Sequence, residues 1–113
     1  MALELAFAKK SLRTLCEDEV RAKRDLGEEL TSALRKRLAD MQAVSSVRDL
    51  VTGRPREMGS GRSGYMAVDL CNGYQLVFCV NHSAIPMQGD AIDWSRVKRV
   101  RIIGIEKNDE NGI

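Results

Sequence analysis

Arginine, glutamine, cysteine and histidine side chains in the second half of the chain are the ones equipped for chemistry. Arg62 lies in Gly59-Ser60-Gly61-Arg62-Ser63-Gly64. In such a glycine-rich turn, backbone N–H groups can approach an anion while the guanidinium forks onto it; a solvated arginine on a mobile turn is the plain alternative. From Arg54 to Arg101 there are seven basic residues (Arg54, Arg56, Arg62, Arg96, Lys98, Arg99, Arg101) against four acidic ones (Glu57, Asp69, Asp90, Asp93). That local excess can attract phosphate, with Arg99 and Arg101 as a basic stripe for a nucleic-acid backbone. An ordinary solvated surface has the same composition. Gln75 is placed to hydrogen-bond a base edge, and an exposed strand glutamine is its plainer reading. Cys71, Cys79 and His82 invite a metal reading, but the hairpin argued below separates the two cysteines by roughly 16 Å, too far to share an ion. No metal and no cofactor is expected. His82 has no cysteine or serine partner and reads as an ordinary loop residue.

The elements that must position these residues follow from periodicity. Leu3, Leu5 and Phe7 alternate as in a strand, whereas Leu12, Leu15 and Cys16 have helical spacing. Asp18 can cap a second helix containing Val20, Ala22 and Lys23, and Gly27 can break it. Leu30, Ala33, Leu34, Leu38, Met41 and, more loosely, Val44 form a longer apolar stripe, leaving Arg35-Lys36-Arg37 as a solvated face. Ser45-Ser46 caps a short turn around Val47 and Leu50, and Thr52-Gly53-Arg54-Pro55 breaks the pattern.

Two apolar runs, 65–70 and 74–80, flank Cys71-Asn72-Gly73 and predict a β-hairpin. A two-residue loop would mix polar and apolar side chains on both faces. A three-residue loop with Gly73 left-handed pairs Leu70 with Tyr74, Val68 with Leu76 and Met66 with Phe78, which places the apolar set on one face. The other face carries Tyr65, Ala67, Asp69, Gln75, Val77 and Cys79 and is the candidate working surface. A loop from Asn81 to Asp93 follows, with Trp94 as an apolar anchor, and then a last strand from Val97 to Ile105 that places Arg99, Arg101 and Ile103 together. The expected fold is α+β, an N-terminal strand and helices packed on one face of a small antiparallel sheet.

At 113 residues there is room for one domain, expected over 1–106 with a flexible tail at 107–113. A hydrophobic fraction of 43 % with 30 % charged residues is ordinary for a soluble protein. No apolar run approaches the ~18–20 residues that span a bilayer. Met1–Phe7 lacks a signal peptide's basic start and long apolar core, and three cysteines without CxxC spacing suit a reducing compartment. A cytoplasmic location is expected.

From Phe7 to Glu106 the sequence resembles the HigB-type toxins of the RelE/ParE superfamily. The similar stretches are Lys9–Cys16, the helix around Arg35–Asp40, Arg62-Ser63-Gly64, Asp69–Phe78, Asp93–Val97 and Val100–Glu106. The resemblance implies a RelE-like fold and the toxin of a toxin–antitoxin pair, a ribosome-dependent mRNA endoribonuclease. Its implied partners are the ribosome, mRNA and a helix-turn-helix, HigA-like antitoxin. Arg62 and Asp109 are its candidate catalytic residues, and Arg56, Gln75, Arg99 and Arg101 its candidate RNA-phosphate contacts. The family's pre-hairpin His-x-x-Lys-Gly-Asp-Arg reads Arg56–Arg62 here, its hairpin arginine is Gln75, and Asp109 replaces a terminal histidine. Slow cleavage is therefore expected, and the other reading is a non-catalytic binding protein on the same fold, antitoxin-binding or a ParE-like gyrase inhibitor.

Overall fold

A computed structural model of the chain describes residues 3–58 and 64–107. The alternating start forms β1 (Glu4–Phe7), followed by α1 (Lys10–Glu17), α2 (Glu19–Leu26) and α3 (Glu28–Gln42). Asp18 caps α2 as its side-chain chemistry predicts, accepting the Arg21 N–H at 3.1 Å. Gly27 separates α2 from α3 with φ +86°, a conformation that strains any residue carrying a Cβ. The expected stripe of α3 is buried at Leu30, Leu34, Leu38 and Met41. Ser46 precedes a 3-10 turn over Val47–Asp49, and its hydroxyl donates to the Asp49 carboxylate rather than capping the turn by accepting a backbone N–H.

The rest of the chain is mostly strand: β2 (Arg56–Glu57), β3 (Tyr65–Asp69), β4 (Tyr74–Val80), β5 (Met87–Gln88), β6 (Ala91–Ile92) and β7 (Arg99–Lys107). Five of the strands form one sheet in the order β1-β7-β4-β3-β2, while β5 and β6 make a separate hairpin inside the segment expected to be plain loop. The α+β class stands. The sheet is mixed, because β1 runs parallel to β7 while the other neighbours are antiparallel. β7 continues to Lys107, which the sequence assigned to the tail, and 108–113 lie outside the described residues.

The hairpin has the predicted register, with Met66 opposite Phe78 and Val68 opposite Leu76. The Leu70 N–H donates to the Tyr74 carbonyl at 2.9 Å, closing a loop in which Asn72 and Gly73 both have positive φ. Val68, Leu76, Phe78 and Ile102 are wholly buried in a core shared with Leu34, Leu38 and Met41. Trp94 joins that core and its indole N–H donates to Glu57. Burial of a large aromatic with its polar edge satisfied anchors the loop, as expected.

Candidate functional site

Pairing across the sheet sorts the face turned away from the helices into rows. Arg56 on β2 lies opposite Ala67 on β3, Ala67 opposite Val77 on β4, and Val77 opposite Gly104 on β7. On one side of that line of small residues stand Asp69, Gln75 and Glu106, and on the other Tyr65, Cys79 and Arg101. A β-bulge makes this arrangement. Val77 pairs with Gly104 but Phe78 pairs with Ile102, so Ile103 is extra and the alternation of β7 shifts by one beyond it. The sequence put Ile103 on the polar face in step with Arg101; the bulge gives that place to Gly104, where an added Cβ would meet open space.

Two of the predicted contacts meet directly. Arg56 Nη2 donates to Gln75 Oε1 at 2.7 Å. Gln75 is buried, so its carbonyl oxygen serves Arg56 where sequence reasoning had offered it to a base. Arg56 Nη1 also lies 3.0 Å from Asp69 Oδ1, and Arg54 Nε binds the second oxygen of the same carboxylate. Burial pushes the Asp69 carboxyl up. The hydrogen bonds and charges of Arg54 and Arg56 outweigh that and hold it below the usual range.

Asp69 was not among the predicted site residues, yet its backbone is as firmly held as its side chain. Its N–H donates to the Gly53 carbonyl at 2.6 Å, and its carbonyl accepts Arg37 Nε at 2.9 Å. Arg37 also pairs with Asp40 at 3.1 Å. The solvated face expected for Arg35-Lys36-Arg37 therefore holds for the first two residues only. Arg37 is half-buried and ties α3 to the end of β3, a contact across 32 residues that helical periodicity does not encode. Gly53, at φ +78°, is required here, since a Cβ would come within 2.6 Å of Arg37 Nε.

Arg101 donates to Asn81 at 3.1 Å, next to the half-buried Cys79. Burial raises the Cys79 thiol and the charge of Arg101 only partly offsets it, which disfavours the nucleophilic thiolate. Arg99 is further out, paired with Glu4 on β1 at 2.6 Å with both side chains mostly exposed. His82 Nε2 accepts the N–H groups of Lys98 and Arg99 at 3.0 and 3.2 Å, so it fastens the loop to the start of β7. Arg62 and Asp109 lie outside the described residues. Among the described residues no three potential metal ligands cluster. A cleft of about 640 Å³ lies on the helical side, lined by Glu19, Lys23, Glu28 and Arg35 of α2 and α3 and by Cys71, and contains none of the predicted contacts.

This sheet, with its helices on one face and its arginines on the other, is similar to a solved YoeB/ParE toxin from Agrobacterium tumefaciens. The TM-score is 0.56 over 94 % of this chain and 99 % of that chain, at 10 % sequence identity. The fold is that of the RelE/ParE toxins. No protein-family model matches the chain, and no curated protein matches it in sequence. The likeness extends to almost the whole of both chains. No described helix is long and apolar enough to cross a membrane.

Proposed function

We propose that this chain is the toxin of a toxin–antitoxin pair and a HigB-type, ribosome-dependent mRNA endoribonuclease, held inactive by a helix-turn-helix, HigA-like antitoxin. The observation that carries this reading is the pair Arg56 and Arg101, flanking the small residues Ala67, Val77 and Gly104 on the sheet face opposite the helices. In the proposed reaction the ribose 2′-oxygen attacks the adjacent phosphorus, the bond to the 5′-oxygen breaks, and charge builds on the non-bridging oxygens. Arg56, Arg101 and Arg62 stabilise that charge electrostatically. Asp109 takes the proton of the 2′-hydroxyl as general base, and solvent water gives a proton to the departing 5′-oxygen.

Primer extension on translated mRNA after induction tests the proposal. The wild type should cleave slowly, Asp109→Asn should lower cleavage by about 10²-fold or more, and Arg62→Ala should nearly abolish it. Brisk cleavage untouched by Asp109→Asn would remove Asp109 as the base. A second reading, a non-catalytic binding protein on the same fold, is favoured by the partners already held by Arg56, Arg99 and Arg101. Growth arrest without cleavage would decide for it.

A further inference from the structure

Arg56 differs from the other cations of the sheet in how completely its orientation is set. A guanidinium has five N–H donors. Nη1 of Arg56 donates to the Arg54 carbonyl at 3.0 Å and faces Asp69 Oδ1 at 3.0 Å, while Nη2 donates to Gln75 Oε1 at 2.7 Å. Nε–H and the second Nη2–H have no acceptor among the described residues. If Gln75 takes the Nη2–H turned toward Nη1, the Nη2–H that remains lies beside Nε–H, and the two are spaced to grip two oxygens of one phosphate. A quarter of the Arg56 side chain is exposed.

The backbone of the frame that holds this fork is fixed without Arg56. Asp69 is fixed through its backbone to Gly53 and Arg37, and Gln75 is buried within β4. We propose that Asp69 and Gln75 are positioning residues that lock the Arg56 guanidinium so that Nε–H and Nη2–H grip a single RNA phosphate. This rests on the RNA reading above and gives it a specific contact. Locking the side chain in advance removes the ordering cost that a free arginine meets on binding.

The sign of one substitution separates this role from simple electrostatics. If Asp69 acted only as a nearby negative charge, Asp69→Asn would tighten RNA binding. As a positioning residue its loss loosens Arg56 and weakens binding instead. The experiment follows the Arg56 Nε–H resonance of the full chain by NMR, with inorganic phosphate and a single-stranded RNA oligonucleotide as probes. In the wild type the resonance should be sharp and shift with both probes. Asp69→Asn and Gln75→Leu should broaden it and weaken RNA binding by about tenfold, and Arg56→Lys, with charge but no fork, should not restore affinity. If Asp69→Asn does not fold, Gln75→Leu, which leaves the Asp69 frame in place, decides alone. Unchanged or tighter binding by the positioning variants, or full affinity in the Arg56→Lys variant, overturns the proposal. RNA binding that leaves the Arg56 resonance unmoved overturns it too, but spares the RNA reading. A phosphate-induced shift without RNA binding upholds the locked fork and removes the RNA reading.

Discussion

Along β4, Leu76 and Phe78 point to the helices while Gln75 and Val77 point to the other side, and all four are buried. The helical side is buried mainly by apolar packing. The other side combines small apolar residues with a network of Arg56, Gln75, Asp69 and Arg54 in which each charge has a partner. One face therefore stores stability in volume and the other in direction. Removing atoms from the first leaves a cavity, whereas removing a charge from the second leaves its partners misaimed.

The largest effect should come from Phe78→Ala, which empties the wholly buried face and should cost about 3–5 kcal/mol, read as a fall in the denaturant midpoint. The other face should respond to pH instead. Because Asp69 is held below its ordinary carboxylate value, its ionised form favours the folded state. That contribution is complete above the unfolded value of about 4 and is lost as pH falls through the lower folded value. Asp69→Asn should be less stable than the wild type at neutral pH by about 1 kcal/mol, and the gap should close in acid; a gap independent of pH would break the contrast between the faces. Smallest is Arg99→Ala, whose exposed pair with Glu4 should be worth no more than about 0.5 kcal/mol in thermal unfolding.

Sequence periodicity disclosed the packed face well, because burial repeats. The stripe of α3, the Asp18 cap and the Cys71-Asn72-Gly73 loop each leave a local signature, and a register chosen to bring Met66, Val68, Leu76 and Phe78 together is the one observed. The polar face was legible only as a set of residue types. Arg56 and Gln75 were named separately, but the carboxylate that organises them, Asp69, is distinguished by contacts from Gly53, Arg37 and Arg54, none of them periodic. The bulge at Ile103 leaves only a faint trace, a change of phase in the apolar alternation and Gly104 inside the strand. The parallel partner of β1 is hidden, since nothing near Leu5 points to a segment at the far end of the chain.

That partnership has a consequence for how the protein is made. Glu4 and Arg99 are 95 residues apart, and β7 is the strand that joins β1 to the rest of the sheet. During synthesis the first strand emerges long before the strand it must sit beside, and the helices and the hairpin exist before the sheet can be completed. Contacts of such wide separation slow folding, and the open flank of β4 stays available to other chains meanwhile. A chain that ends between Val80 and Arg99 carries both strands of the hairpin and lacks the strand that completes the sheet.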